Sequence, residues 1–247
     1  MVGAVLIAVA AAALVAGGLL FWLLTVVAGL FMMAEWSGLH GADPKTKRVG
    51  QFALSVPLAI MAPIAAGPTF LSLGLVAGAA FFIAAATRRS ALGWGAVYVG
   101  LPVLALLILR EQGNGRVLAF WAMALVWATD IGAYFAGRSI GGPKLAPAIS
   151  PNKTWAGLGG GVVAAGVFAL ALHSWADLPL RLAAVTPLLA VLAQVGDLYE
   201  SWLKRRAGVK DSGNVLPGHG GVLDRLDGLV PVAPVAALLV ELPRWLA

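Results

Sequence analysis

"VLIAVAAAALVAGGLLFWLLTVVAGLFMMAEW", residues 5–36, holds a single charged side chain, Glu35, and decides the class of fold. A helix crosses a bilayer core in about 17–25 apolar residues, so this run is too long for one ordinary span. Gly17-Gly18 is the natural place for a break, and one long tilted helix is the alternative. Similar runs recur along the 247 residues, of which 60% are hydrophobic and 11% charged. A soluble domain of this length has no need of such a composition.

The pattern predicts an all-α, polytopic integral membrane protein. About nine transmembrane helices are expected, over residues 3–16, 19–40, 51–66, 69–87, 92–110, 115–137, 155–174, 179–203 and 228–245. The chain reads as one membrane domain, residues 1–247, with N-terminal helices to about 110 and a polar, motif-bearing part over 115–247. The first apolar segment lacks a basic leader, so it is expected to stay as a membrane helix. The absence of cysteine excludes disulfides and thiolate metal sites.

The net charge of +6 is better read as topology than as affinity for nucleic acid. Thirteen of the 17 basic residues fall after even-numbered spans: Lys45, Lys47, Arg48; Arg88, Arg89; Arg138, Lys144, Lys153; and Lys204, Arg205, Arg206, Lys210, Arg225. Arg110, Arg116, Arg181 and Arg244 remain for the other side. Basic loops stay in the cytoplasm, which puts the N-terminus inside and the C-terminus outside.

Positive loops do not explain acids, yet five of the eleven fall in 197–227: Asp197, Glu200, Asp211, Asp224 and Asp227. Asp197, Ser201 and Lys204 follow helical spacing and share a face. Asp224 and Asp227, three apart at the expected start of the last helix, are predicted to share another. Oxygen ligands of this kind suit Mg²⁺ or another hard cation, above all when phosphates complete the shell. Lys204, Arg205, Arg206 and Lys210 can neutralise phosphate, and Gly218, Gly220 and Gly221 let a backbone approach an anion. Together these features fit phosphoryl or nucleotidyl transfer; a basic cytoplasmic loop laced with salt bridges is the plainer alternative.

A second polar block, "WATDIGAYFAGRSIGGPKLAPAISPNKTWAG", covers residues 127–157. Asp130 lies about two turns inside the sixth span, with Tyr134 one turn on. An acid there needs a cation, a metal, a wet cavity or a helix–helix hydrogen bond. Arg138, Lys144, Lys153, Ser150 and Thr154 follow in what reads as a loop. Thr154 also suits a helix cap, and Lys153 just ahead of that helix suits a phosphate. Neither GGPK nor SPNKT has Walker spacing.

With these residues in place the chain strongly resembles the phosphatidate cytidylyltransferase (CDP-diacylglycerol synthase) family. The likeness rests on Ser201, Lys204, Arg205, Lys210, Asp211, His219, Gly220, Gly221, Asp224, Arg225 and Asp227, with GDLYES upstream and the DIGAYFAGR and SPNKT blocks apart. Gly228 and Asn152 depart from it, standing where Ser and Lys are common in that family.

The resemblance implies that phosphatidic acid and CTP give CDP-diacylglycerol and pyrophosphate. It implies Mg²⁺, and the number of acids leaves room for a second cation, either Mg²⁺ or a monovalent ion. It also implies a multi-pass protein of the inner (cytoplasmic) membrane whose site faces the cytoplasm. Asp197, Ser201, Lys210, Asp211, Asp224 and Asp227 are then the candidate catalytic residues, with Asp197, Asp224 and Asp227 as metal ligands. Asp130, Lys144, Lys153, Thr154, Lys204, Arg205, His219, Gly220, Gly221 and Arg225 are the candidate substrate binders. His219 reads equally as an acid–base group or a positioner, and Glu35 as facing the cavity or snorkelling to the interface. His40, His173 and most of the tryptophans read as edge or packing residues. CTP, phosphatidic acid and the bilayer are the expected partners, nucleic acid is not, and a homodimer is compatible with the sequence. The alternatives are a CTP-dependent transferase for a polyprenyl or ether lipid and, with less in its favour, a cation transporter.

Overall fold

The first apolar run is two helices, α1 (Val2–Ala16) and α2 (Gly18–Leu39), in the computed structural model, which describes residues 2–216, 218 and 220–246. Gly17 has φ 65° and Gly18 φ 50°, a left-handed bend that a β-carbon would oppose. Arg110 closes the break. Its Nε donates to the Leu14 carbonyl at 2.8 Å and its Nη2 to the Val15 carbonyl at 3.3 Å, so carbonyls left open at the end of α1 find partners.

The chain continues as α3 (Pro44–Ile60), α4 (Phe70–Thr87), α5 (Ser90–Glu111) and α6 (Gly115–Ser139). After a hairpin come α7 (Trp155–Ala176), α8 (Leu180–Ala207), the single turn α9 (Leu223–Leu226) and α10 (Leu229–Leu246). Eight of the predicted spans match their helices within a few residues. The third is displaced: α3 starts at Pro44, because Asp43 accepts from Lys45 N at 2.8 Å and Thr46 N at 3.2 Å and so caps it early.

Among the described residues, α2, α4, α5, α6, α7 and α8 are long and apolar enough to cross a bilayer. Shorter apolar stretches lie in α1 and α10, and α3 opens with Lys45, Lys47 and Arg48. The protein is thus an all-α membrane protein, with one exception. The segment read as a loop folds into an antiparallel hairpin, β1 (Lys144–Ala146) and β2 (Ser150–Thr154), pairing Lys144 with Thr154 and Ala146 with Ser150. Three-residue and five-residue strands are too short to leave a legible alternation in the sequence.

α5 is central, with 72% of its apolar window buried, whereas α4 and α7, at 22%, turn most of theirs outward. The outward residues are large and apolar, such as Phe81 and Val163, as a lipid environment requires. α6 and α7 touch through small residues. A β-carbon on Gly160 would lie 2.2 Å from Ala136 Cβ, and one on Gly132 would lie 2.6 Å from the Gly160 carbonyl oxygen. Bare glycines let two backbones approach where no hydrophobic force drives helices together. Two tryptophans pack inside as expected: Trp36 Nε1 donates to the Ala91 carbonyl at 2.9 Å and Trp121 Nε1 to Thr186 Oγ1 at 2.9 Å.

The connections sort into two ends. Arg89 donates to the His40 and Gly41 carbonyls, Arg205 to the Ile149 carbonyl, and Glu35 accepts from the segment after α8. The connections after α2, α4, α6 and α8, which with the helix ends that flank them hold the 13 basic residues, therefore gather at one end. At the other, Gln112 donates to Glu241 Oε1 at 2.7 Å and Arg181 to the Leu239 carbonyl at 2.6 Å.

Candidate active site

α8 brings the polar blocks together. It is apolar through most of its length, then places Gln194, Asp197, Glu200, Ser201 and Lys204 over about its last four turns. Lys153, near the end of β2, reaches this face: its Nζ lies 2.5 Å from Asp197 Oδ2 and 2.9 Å from Gln194 Oε1. Gln194 Nε2 in turn donates to Asp130 Oδ1 at 3.2 Å, and Ser201 Oγ donates to Asp197 Oδ1 at 3.3 Å. Asp130 thus meets both a helix–helix hydrogen bond and a polar cavity. The cavity is about 560 Å³, and Asp130, Tyr134, Arg138, Asn152, Lys153 and Asp197 are on its wall. That volume falls in the ordinary range for small-molecule sites.

Thr154 lines the same cavity, but its hydroxyl accepts from Gly157 N at 3.0 Å and its side chain is buried, so it works as the cap of α7. Lys144 is exposed on β1, and Arg205 is exposed with its Nε 3.4 Å from the Ile149 carbonyl.

A second cluster adjoins the first through Lys204. Its Nζ lies 2.6 Å from both Glu200 Oε2 and Asp224 Oδ1. Asp224 Oδ2 also accepts from Gly221 N at 2.7 Å, Ser212 N at 2.9 Å and Ser212 Oγ at 2.9 Å. Burial opposes the charge of Asp224, but these bonds outweigh it and hold the carboxyl below the ordinary aspartate value. Lys204 is accordingly committed within the protein rather than open to a phosphate.

Asp224 and Asp227 stand one helical turn apart, as their spacing predicts, with Asp227 at φ −52° and ψ −44° at the end of α9. α9 ends after one turn, and the two carboxylates face different partners. Asp224 turns to Lys204 and the loop. Asp227 Oδ1 accepts from Gly228 N at 2.7 Å, and its carboxyl is pushed up to about 7, first by burial and then by the charge of Asp197. α8 and the start of α10 pack closely here. A β-carbon on Gly196 would stand 2.5 Å from the Asp227 carbonyl oxygen, and one on Gly228 2.9 Å from Val126 Cγ1.

The three predicted metal ligands are consequently not gathered at a point; among the described residues no group of three acidic or histidine side chains could hold a metal ion. Asp197 and Asp227 remain close enough to repel each other. Two carboxylates fit Mg²⁺, which often takes only one or two from a protein and completes its shell with phosphate and water.

Lys210 and Asp211 are exposed on the segment after α8. Gly220 has φ 78°, and its carbonyl accepts from Leu216 N at 2.9 Å. Gly221 is buried, Arg225 is exposed, and His219 lies outside the described residues. Arg225 borders an apolar groove of about 290 Å³ between α1, α2, α5 and α10, with Val215, Leu216 and Val222 at its edge. His40 and His173 bond the Trp36 and Leu178 carbonyls, each at 2.8 Å, consistent with edge roles.

Two polar residues were passed over in the sequence. Gln194 had a signal, a lone amide one turn before Asp197 in an apolar run. Ser212 had none, since its contacts come from loop shape.

Residues 1–242 match the cytidylyltransferase family. The phosphatidate cytidylyltransferase of Brucella suis biovar 1 is 42% identical over 230 residues, 90% of this chain and 84% of that one. That of Pseudomonas aeruginosa is 38% identical over 231 residues, 85% and 84% of the two chains. That of Bacillus subtilis is 46% identical over 151 residues, 60% and 56%. A family match over residues 1–242, with relatives 38–42% identical over most of both chains, means that the chain belongs to the cytidylyltransferase family.

Proposed function

We propose that the protein transfers the cytidylyl group of CTP to phosphatidic acid, giving CDP-diacylglycerol and pyrophosphate. The observation that carries the reading is the junction of Lys153 with Asp197 beside Asp130: residues far apart in sequence make one charged cavity at the basic end of an apolar bundle. A phosphate oxygen of phosphatidic acid attacks the α-phosphorus of CTP, and the bond to pyrophosphate breaks. A phosphate monoester has its second pKa at about 6, so the nucleophile arrives largely deprotonated and needs no strong base. The protein's task is to hold two polyanions in line and stabilise the charge that develops.

Lys153 is the central cation of the cavity, oriented by Gln194 and Asp197, with Arg138 on the same wall. Lys144, Arg205, Lys210 and Arg225 form an outer basic fringe suited to drawing in the nucleotide. Asp197 and Asp227 are the pair that would hold Mg²⁺. The ion would supply neutralisation of the nucleotide phosphates. Asp224 and Lys204 shape the loop behind that pair. The groove bordered by Arg225 offers an apolar path for acyl chains next to the same loop.

Nine membrane helices, with the basic end in the cytoplasm of the inner membrane, are the topology this reading uses. The gathering of the 13 basic residues at one end supports it. A homodimer is compatible with it.

The test is an assay of the purified protein with labelled CTP and a panel of lipid phosphates, with and without Mg²⁺. The proposal expects pyrophosphate release that needs both phosphatidic acid and Mg²⁺. Release only with a polyprenyl or ether-lipid phosphate would change the substrate, and no release with any lipid would overturn the activity.

A further inference from the structure

Glu35 is the only charged residue of α2, whose other 21 positions are apolar or small and polar. A carboxylate on such a helix is costly unless something compensates it. Neither snorkelling to the interface nor an open position in the cavity describes it: the residue is 5% exposed. Its oxygens are taken by the segment that follows α8. Oε1 accepts from Val222 N at 2.9 Å, and Oε2 accepts from Leu223 N at 2.7 Å and Ser212 Oγ at 3.3 Å. Two successive backbone amides, 187 and 188 residues away in sequence, therefore bond the two oxygens of one carboxylate. Hydrogen bonds to a charged acceptor are the strong ones, and two at once fix direction as well as distance.

The loop is shaped to this side chain. A β-carbon on Gly213 would lie 2.8 Å from Glu35 Oε1, and one on Gly221 would lie 2.6 Å from the same oxygen. Ser212 joins the two acids of the cluster, since its hydroxyl reaches both Glu35 Oε2 and Asp224 Oδ2. Asp224 follows the pinned residues at once, and Asp227 comes one turn later.

Resting on the reaction centre proposed above, the geometry points to Glu35 as a positioning residue for the transfer: through the Val222 and Leu223 amides it sets where Asp224 and Asp227 stand. It touches neither substrate nor metal. Its contribution is to tie the motif loop of the C-terminal half to a helix of the N-terminal half.

Glu35→Gln keeps the length but turns an N–H₂ toward one of two N–H donors, so one bond is lost. A displacement of about 1 Å costs on the order of 100-fold in rate, and a drop in kcat of that size is expected with both KM values little changed. Exchange of the amides at 221–223, read by mass spectrometry on the full chain in detergent, should speed up. The melting temperature should change little, because removal of a buried charge offsets the lost hydrogen bond. A loss of turnover only in proportion to unfolded protein, with exchange unchanged, would overturn the role.

Gly213→Ala gives a second line that removes no charged group. Its β-carbon meets Glu35 within 3.0 Å at three atoms, and the backbone φ there is one that alanine accepts. It should lower kcat when Glu35 is present and add almost nothing in a Glu35→Ala background; simple additivity would count against the clamp. Asp227→Asn separates the two levels. Full turnover in that variant would overturn the reaction centre and the positioning role with it. Turnover lost there but kept in Glu35→Gln would overturn the positioning role alone.

Discussion

Asp224→Asn and Asp227→Asn are the same change three residues apart, and the structure gives them opposite effects on stability. At Asp227 the charge is unfavourable when no cation is bound. Its carboxyl sits at about 7 against an ordinary 3.8, from burial and from Asp197. At about 1.4 kcal/mol per pH unit, that difference caps the cost of the charge near 4 kcal/mol. Water and local relaxation bring the realised figure to roughly 1–2 kcal/mol. A carboxyl whose folded value exceeds its unfolded one binds its proton more tightly when folded. Stability therefore falls as pH rises from about 4 to about 7, and the loss is complete above 7. In EDTA at pH 8, Asp227→Asn should melt higher than the parent by that margin; near pH 4 the two should coincide.

Asp224 is the reverse case. It accepts four hydrogen bonds, one of them from Lys204 at 2.6 Å, and its side chain is 5% exposed. Asparagine can serve Lys204 or the Ser212–Gly221 donors, but not both. Breaking a buried pair costs about 3–5 kcal/mol when the remaining charge is stranded. Lys204 keeps Glu200, so roughly 2 kcal/mol is expected here. Turnover separates them again. Asp227→Asn should lose orders of magnitude in Mg²⁺-dependent rate per folded molecule, while Asp224→Asn should lose less once corrected for folding. The assay is thermal unfolding of the detergent-purified variants in EDTA at pH 4 and pH 8, paired with rate against Mg²⁺ concentration. An Asp227→Asn protein that melts below the parent at pH 8, or turns over normally, would refute this reasoning.

Three further outcomes follow from single contacts. Lys153→Met strands Asp197 against Gln194 and should cut turnover at least 100-fold, on the scale of one lost charge-stabilising group; steady-state rates with saturating CTP check it. Gly160→Val drives α6 from α7 and should cost about 1–3 kcal/mol in thermal unfolding, whereas Gly159→Val, with nothing within 4 Å of its β-carbon, should cost little. The chain has no cysteine, so single replacements report topology cleanly: a membrane-impermeant maleimide on sealed cells should label Trp175→Cys and spare Val209→Cys, and the opposite result would invert the orientation.

What could be read without coordinates followed the range over which each force acts. Burial of apolar helices is a property of whole segments. The run over residues 5–36 was therefore legible as too long for one ordinary span, while the choice between a break at Gly17-Gly18 and one long tilted helix rested on a backbone angle that only the structure shows. Spacing along a single helix was equally legible: Asp197, Ser201 and Lys204 do lie along α8, and Ser201 does reach Asp197. Contacts between elements were a different matter. Asp224 and Asp227 do lie one helical turn apart, but their partners, Lys204 for Asp224 and the Gly228 amide for Asp227, could not be read from that spacing. Lys204 looked like a phosphate ligand because its charge was visible; Glu200 one turn before it was legible as a partner, but Asp224, twenty positions on, was not. Glu35 is the sharpest instance. Its cost to an apolar helix was plain from residues 18–39, but its compensation is two backbone amides, which carry no side-chain signature at all. A lone carboxylate in a membrane helix thus signals that a partner exists, and in this protein the partner is the backbone of the very loop that bears the motif.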